Sequence, residues 1–94
     1  MSAAAAGLAE YDVTVTIENR EGLADPEGET ILRDLVLRSG RGGVRSVRTA
    51  RILRIRVEAA DARAAEADVE RLCSELRLYN PLVSRASVRA EGAQ

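Results

Sequence analysis

The sequence predicts an α+β fold in which two β-α-β halves build a four-stranded antiparallel sheet with two helices on one face. Two observations support this prediction. Apolar and polar residues alternate near the start of the chain and again near its middle, which is typical of strands with one buried face. Two other segments have apolar residues at helical spacing, and each follows an aspartate suited to cap a helix. The expected order is strand, helix, strand, strand, helix, strand.

The first strand is predicted over residues 11–18. Polar side chains alternate there with apolar ones, so that all of the apolar side chains share one face. These apolar residues are Tyr11, Val13, Val15 and Ile17. This is the clearest strand pattern in the chain.

The first helix is predicted to begin after Asp25. The Asp25 side chain is suited to accept a hydrogen bond from an exposed amide of the first turn, and Pro26 has the φ angle and the missing N–H that the first helical position tolerates. The apolar residues that follow at helical spacing are Ile31, Leu32, Leu35 and Val36. Gly40, within the sequence SGRGG, is suited to the left-handed position that ends a helix.

A hairpin is predicted after this helix. Its first strand is expected over residues 44–48 and its second over residues 51–58, where apolar and charged residues alternate. A tight connection at Thr49 and Ala50 would join them. The polar face of the sheet is expected to lie in water or against a second copy of the chain.

The second helix is predicted to begin after Asp61 and to end at Asn80-Pro81, because proline disfavours helical geometry in the residue before it. One apolar stripe runs along this helix. Its members are Ala65, Val69, Leu72, Cys73 and Leu76. The last strand is expected over residues 82–89, and its weak alternation favours a position at the edge of the sheet.

A single domain over residues 10–90 accounts for most of the 94 residues, with a disordered tail at residues 1–9 and a short tail at residues 91–94. The chain contains neither Phe nor Trp, so its core must consist of small aliphatic side chains. A domain of this size buries a limited core, and self-association is therefore expected. The N-terminal residues resemble neither a secretion signal nor a membrane span.

The composition favours neither nucleic-acid binding nor autonomous catalysis. The 14 basic residues, all of them arginine, balance 15 acidic ones, so the chain lacks the field that attracts phosphate backbones. It has no histidine, the commonest general base, and Cys73 is interpreted as a filler of the core. The acidic pairs Asp25 with Glu27 and Glu66 with Glu70 are interpreted as helix-terminus and solvated-face residues. No metal or cofactor site is expected.

The segment from SGRGG through the following arginines is the one stretch suited to bind an anion. It does not match a phosphate-binding loop, because it lacks the Gly-Lys-Ser/Thr sequence and leads into a strand. An alternative function therefore stays open, in which the chain is a regulatory domain that binds a small ligand at this turn.

Three segments resemble a known family when they are taken in order. They are LADPEGETILRDL, SGRGGVRSVRTARILRI and VERLCSELRLYNPLVSRASV. Together with the chain length, they resemble PurS, the small subunit of phosphoribosylformylglycinamidine synthase, over residues 11–89. After Arg48 and one further residue, family sequences usually have Gly-Lys, whereas this chain has Ala50 and Arg51.

The resemblance implies a non-catalytic assembly subunit of a cytoplasmic enzyme complex in purine biosynthesis. In that family the small subunit, as a homodimer or a dimer of dimers, bridges an ATP-dependent synthetase subunit and a glutaminase subunit, so that ammonia passes between them. The small subunit is expected to hold no cofactor, while ATP and Mg²⁺ belong to the large subunit. Neither nucleic acid nor membrane is an expected partner.

The partner interface is expected to include the motif residues that this chain shares with the family and their neighbours. These residues are Asp25, Pro26, Gly28, Arg48, Arg51, Asn80 and Pro81.

Overall fold

The computed structural model describes residues 7–92 of the chain. Its strands are β1 (Ala9–Asn19), β2 (Ala50–Ala59) and β3 (Ser84–Gly92), and its α-helices are α1 (Pro26–Ile31) and α2 (Ala62–Glu75). A π-helical turn (Leu32–Val36) and a 3₁₀ turn (Leu37–Ser39) continue α1. Of the tails predicted at residues 1–9 and 91–94, residues 1–6 and 93–94 lie outside the described residues, while Ala9 belongs to β1 and Glu91 and Gly92 belong to β3.

The sheet is antiparallel and has three strands in the order β2-β1-β3. The α+β class is confirmed, but the predicted four-stranded sheet is wrong. The longest alternating pattern forms the central strand, where Val15 pairs with Leu53 on one side and with Val88 on the other. The last strand lies at an edge, as its weak alternation predicts, and β2 forms the other edge.

The fourth strand is missing because residues 44–48 form no strand in this chain. They have no regular secondary structure and lead directly into β2, so the predicted hairpin at Thr49 and Ala50 does not exist. Ala50 is instead the first residue of β2, where a residue with a β-carbon is well tolerated. The loss of the family's glycine at this position therefore disturbs no turn.

The core lies between α2 and one face of the sheet. Val13, Val15 and Val69 are completely buried, and Ala65 and Cys73 of α2 are buried beside them. Asp61 caps α2 as predicted, accepting a 2.8 Å hydrogen bond from the Ala64 amide. The completely buried side chains do not exceed valine in volume, and Ile17, at 6% exposure, is the largest residue of the buried core.

The helix α2 ends at Glu75, five residues before the predicted stop at Asn80. Arg77 has a left-handed φ of 52°, and the Leu78 amide turns back to the Cys73 carbonyl oxygen. This is the geometry with which glycine usually ends a helix. An arginine at that position gives no signal for a helix end, so the sequence predicts a longer helix than the one observed.

The first helix does not pack on the sheet, so the prediction of two helices on one face is wrong. We call residues 26–39 the helical arm. Within the described residues, no Cα atom of the arm lies within 8 Å of a Cα atom in a strand or in α2. The predicted ends of the arm are nevertheless confirmed, because Asp25 caps its start and Gly40 ends it with a left-handed φ of 90°.

The arm makes the molecule elongated. The described residues measure 58 × 29 × 19 Å, and their radius of gyration is 17.8 Å. A compact domain of this length has a radius of gyration of about 12 Å. The chain therefore consists of a small α2-covered sheet with a projecting helical arm.

Candidate functional site

All seven residues that the sequence assigns to an interface lie at one end of the sheet. The strand β1 ends there, while β2 and β3 begin there, with Glu18 opposite Ala50 and Asn19 opposite Ser84. We call this region the junction and define it as residues 19–28, 47–51 and 78–84. It joins the base of the helical arm to the sheet and to the connection between α2 and β3.

Asp25 is the central side chain of the junction. It is 4% exposed, and its Oδ1 accepts a 3.0 Å hydrogen bond from the Gly28 amide, which caps α1. The hydroxyl of Thr49 donates to the same carboxylate at 2.9 Å, and the Thr49 amide donates to Oδ2. One carboxylate thus fixes the start of the arm to the chain that enters β2.

These hydrogen bonds keep Asp25 ionised. The Thr49 amide, together with the Gly28 amide, holds the pKa of the Asp25 carboxyl below its ordinary value of 3.8, and the charge of Arg48 acts in the same direction. A carboxylate with a lowered pKa is a poor proton acceptor near neutral pH. Asp25 is therefore a structural anion rather than an acid–base catalyst.

Gly28 brings the arm close to residues 47–49. A β-carbon at this position would overlap the carbonyl oxygen of Val47 and would lie 2.9 Å from the carbonyl carbon. The φ angle of Gly28 is not in the left-handed region, so glycine is required here for space alone. The absence of a side chain sets the distance between the arm and the strand that follows it.

Arg48 holds the loop that connects β1 to the arm. Its guanidinium donates to the carbonyl oxygen of Leu23 at 2.9 Å and faces those of Asn19 and Arg20 at 3.4 Å. The five donors of a guanidinium suit such a cluster of acceptors. Arg48 remains exposed, so its charge is still presented at the surface.

The remaining interface residues surround the connection between α2 and β3. Arg51 donates to the carbonyl oxygen of Leu78 at 3.1 Å, and Arg20 donates to that of Pro81 at 2.9 Å. The Asn80 side chain accepts from the Leu82 amide at 3.0 Å, which closes a tight turn. Three loops are therefore tied together by side chains that donate to or accept from backbone groups.

Thr49 and Arg20 belong to this network, although the sequence did not single them out. In the sequence, Thr49 is marked only by its position next to Ala50 and Arg51, where this chain differs from the Gly-Lys of the family pattern. Arg20 carries no signal, because its acceptor lies 61 residues further along the chain. Contacts of that kind depend on the fold and not on local sequence.

The junction offers no catalytic arrangement. Among residues 7–92, no group of three His, Cys, Asp or Glu side chains is placed to hold a metal ion. An open cleft of about 800 Å³ lies between the end of α2 and the Asn80 turn, lined by Cys73, Arg77, Tyr79 and Leu82 among others. The SGRGG turn of the alternative ligand-binding hypothesis lies apart from the junction, exposed at the far end of the arm.

Cys73 has the properties of a core residue. Its side chain is 3% exposed, and burial, followed by the charge of Glu70, raises the pKa of the thiol above 9.0. A protonated and buried thiol reacts slowly. We expect a thiol reagent at pH 8 to modify Cys73 at a rate that rises at least about 100-fold in denaturant; rapid labelling of the native protein would contradict its place in the core.

The fold and the junction define a small α+β protein in which ionic and polar side chains fix loops to one end of the sheet. A family model described as PurS, phosphoribosylformylglycinamidine (FGAM) synthase, matches residues 12–92. The chain belongs to the PurS family, the family of small subunits of phosphoribosylformylglycinamidine synthase, a ligase of purine biosynthesis.

Curated relatives and solved structures agree with this assignment. The PurS subunit of Archaeoglobus fulgidus is 40% identical over 74 residues, which cover 79% of this chain and 90% of the relative. The crystal structure of the PurS subunit of Thermotoga maritima has a TM-score of 0.76 and 32% identity, covering 89% of this chain and 94% of that one.

A further similar structure is described as PurLQS from Thermotoga maritima. Its matching chain has a TM-score of 0.75 and 32% identity, with 87% of this chain and 98% of that chain covered. Among the helices within residues 7–92, none is long and apolar enough to cross a bilayer.

Proposed function

We propose that this chain is the non-catalytic assembly subunit of a cytoplasmic phosphoribosylformylglycinamidine synthase, and that it holds a glutaminase subunit against an ATP-dependent synthetase subunit. The observation on which this rests is the use of the junction side chains. Asp25, Arg48 and Arg51 are all engaged with backbone groups, so they shape a surface rather than act on a substrate.

The chemistry of the reaction explains why such a surface is useful. Ammonia released from glutamine becomes ammonium in water, and ammonium has no lone pair with which to attack. The two active sites must therefore be joined closely enough to exclude solvent. A rigid docking surface meets this need without chemistry of its own. We expect ATP and Mg²⁺ to bind to the synthetase subunit and no cofactor to bind to this chain.

The structure described as PurLQS from Thermotoga maritima supports this assembly role, because one of its chains is similar to this chain. The functional unit that we propose is a homodimer. Its support is the exposed apolar surface of the helical arm, where Leu35 is 65% exposed and Leu37 is 49% exposed. Ile31 and Leu32, which precede Leu35 by four and three residues, are also partly exposed, and a contiguous apolar stripe of this kind is typical of a surface that is covered by a protein.

Charge reversal at the junction tests the docking function. We expect Arg51→Glu and Arg48→Glu to lower glutamine-dependent turnover of the reconstituted complex about tenfold, which corresponds to about 1.4 kcal/mol of weakened docking. Turnover with added ammonium salt should fall much less, because it does not depend on transfer from the glutaminase. The measurement is steady-state turnover with each nitrogen source at limiting amounts of this chain.

The control is Arg63→Glu, which reverses the same charge on the exposed side of α2, away from the junction. We expect it to leave both activities unchanged. Circular dichroism of each variant separates a docking defect from unfolding. Equal losses with glutamine and with ammonium salt in a folded Arg51→Glu variant would contradict the proposed role.

A further inference from the structure

We propose that the cleft between the end of α2 and the Asn80 turn is a docking site for a segment of a partner protein that presents a carboxylate beside an aliphatic side chain, and that Arg77 binds this carboxylate. The inference rests on the proposed function, because the partner subunits of that complex are the proteins that would supply the segment. It adds a contact that the hydrogen bonds of the junction do not include.

Arg77 has a strained backbone. Its φ of 52° is the only positive φ of a residue other than glycine within residues 7–92. The Arg77 amide donates to the carbonyl oxygen of Ser74 at 3.4 Å, and the Leu78 amide donates to that of Cys73 at 3.0 Å. In this helix-ending motif glycine is the usual residue, because a β-carbon disfavours the left-handed conformation. A larger residue kept at such a position points to a use for its side chain.

The Arg77 side chain is not used within the described part of the chain. Its guanidinium donates no hydrogen bond and forms no salt bridge to another of residues 7–92, and the side chain is exposed. Arg20 and Arg51, in contrast, donate to carbonyl oxygens of the same connection. An arginine at the end of a helix often binds the last carbonyl oxygens, but Arg77 makes no such bond. Its guanidinium is therefore available to a ligand from outside the chain.

The charge around Arg77 favours an anionic ligand. Of the described residues that line the cleft, Arg77 carries the only charge. The adjacent acidic residue, Glu75, belongs to α2 and is not part of this lining. A carboxylate that enters the cleft therefore meets a cation without a competing anion. A guanidinium binds a carboxylate through two parallel hydrogen bonds, which makes this pair both strong and directional.

The apolar surface beside Arg77 favours a protein segment over a small anion. Leu76 precedes Arg77 and is 62% exposed, while Leu82 and Val83 on the other side of the cleft are 82% and 43% exposed. A free phosphate or carboxylate ion would bind Arg77 and leave these side chains in water. A segment with an aliphatic side chain next to a carboxylate covers both kinds of surface. The occupant that we infer is therefore a protein.

The turn that carries Leu82 is fixed before any partner binds. The Asn80 side chain accepts from the Leu82 amide at 3.0 Å. The Asn80 carbonyl oxygen accepts from the amides of Val83 at 3.1 Å and Ser84 at 2.8 Å. From the end of β1, the Arg20 amide donates to the carbonyl oxygen of Val83 at 2.9 Å. Docking at a turn that is already ordered loses little conformational entropy.

Arg77→Gly tests the inference, because its effects on stability and on binding should have opposite signs. Glycine adopts a positive φ without strain, so the Tm measured by circular dichroism should rise by about 3–5 °C. Affinity for one of the two partner subunits should fall at least about tenfold, because the bonds to the carboxylate are lost. Biolayer interferometry with the purified glutaminase and synthetase subunits, each immobilised separately, measures this affinity.

Three further variants serve as controls. Arg77→Lys keeps the charge and should weaken binding by at most about threefold. Arg63→Gly removes the same side chain from the exposed side of α2, where glycine is unfavourable, so it should lower Tm and leave both affinities unchanged. Leu82→Ser removes the apolar part of the site and should weaken binding to the same subunit as Arg77→Gly by at least about fivefold.

A titration with small anions distinguishes the protein segment from a free ligand. Inorganic phosphate and free glutamate, each added at millimolar concentration to the isolated chain, should give no binding heat in isothermal titration calorimetry. Binding of either anion that is lost in Arg77→Gly would overturn the inference of a protein occupant.

The other outcomes separate this inference from the proposed function. If Arg77→Gly binds both subunits as tightly as the parent chain does, the inference is wrong, whereas the assembly role is still judged by turnover with glutamine and with ammonium salt. A lower Tm for Arg77→Gly would mean that contacts within the chain hold the arginine, which also overturns the inference. A parent chain that binds neither subunit overturns both.

Discussion

Gly28→Ala is expected to lower the free energy of unfolding by about 2–3 kcal/mol. The added methyl group would overlap the carbonyl oxygen of Val47, which is part of the backbone and cannot turn aside as a side chain does. The arm and residues 47–49 would have to move apart, and the link between Asp25 and Thr49 would stretch. Urea denaturation followed by circular dichroism measures the change.

Gly42→Ala is the matched control for this substitution. No heavy atom lies within 4 Å of the place where its β-carbon would stand, and its φ is not in the left-handed region. We expect its unfolding free energy to stay within about 0.5 kcal/mol of the parent chain. If the Gly28 and Gly42 variants unfold at the same urea concentration, the close contact at Gly28 does not affect the free energy of unfolding.

Asp25→Ala is expected to lower Tm by about 10 °C, which is about twice the loss from a helix cap alone. The substitution removes the cap of α1 and leaves the amide and hydroxyl of Thr49 without their acceptor. Asp61→Ala serves as the control, because Asp61 caps α2 through the Ala64 amide only. Its Tm should fall by about 5 °C. Equal decreases in Tm for the two variants would mean that the hydrogen bonds from Thr49 to Asp25 do not contribute to stability.

The same carboxylate makes the fold sensitive to acid. Because the pKa of Asp25 is below 3.8 in the folded chain, the native state binds fewer protons than the unfolded state does. Its contribution to stability is complete at neutral pH and is lost as the pH falls from 3.8 through the lower folded pKa. The difference in stability between the parent chain and Asp25→Asn should therefore shrink over that range, as urea titrations at successive pH values would detect.

Local sequence signals were sufficient for the starts of the helices and for the central strand. Asp25, Asp61 and Gly40 act at the ends that their chemistry predicts. These predictions succeed because a cap depends on residues within one helical turn. The alternation in β1 is equally reliable, since Val13, Val15 and Ile17 on one of its faces are buried in the core.

The errors arise where a surface is covered from outside the local sequence. Residues 44–48 have a strand-like composition but no strand beside them, so their pattern predicts a strand that the single chain does not form. The apolar stripe of the arm predicts packing on the sheet. The hydrogen bonds between Asp25 and Thr49 instead fix the base of the arm, and the arm projects away from the sheet. An apolar pattern in a sequence indicates that a face is buried, but it does not indicate which molecule covers that face.

The seven interface residues come from the motifs that resemble the family and from their neighbours, and the structure brings them to one end of the sheet. Their roles within the chain could not be predicted, because they depend on distant carbonyl groups. Arg48 reaches the carbonyl of Leu23 across 25 residues, and Arg51 reaches that of Leu78 across 27. A basic residue in a sequence gives no information about which backbone oxygen it will meet.

The two outer strands of the sheet also limit how large an assembly becomes. An open strand edge invites further strands, and repeated addition leads to fibres. Here β2 carries Arg54 and β3 carries Arg89, which form no salt bridge among residues 7–92, while Arg56 and Arg85 are paired with Asp12 and Glu18 of β1. Two identical edges that meet would place guanidinium groups against one another. This repulsion favours an assembly with a small, fixed number of chains over a fibre that grows by adding strands.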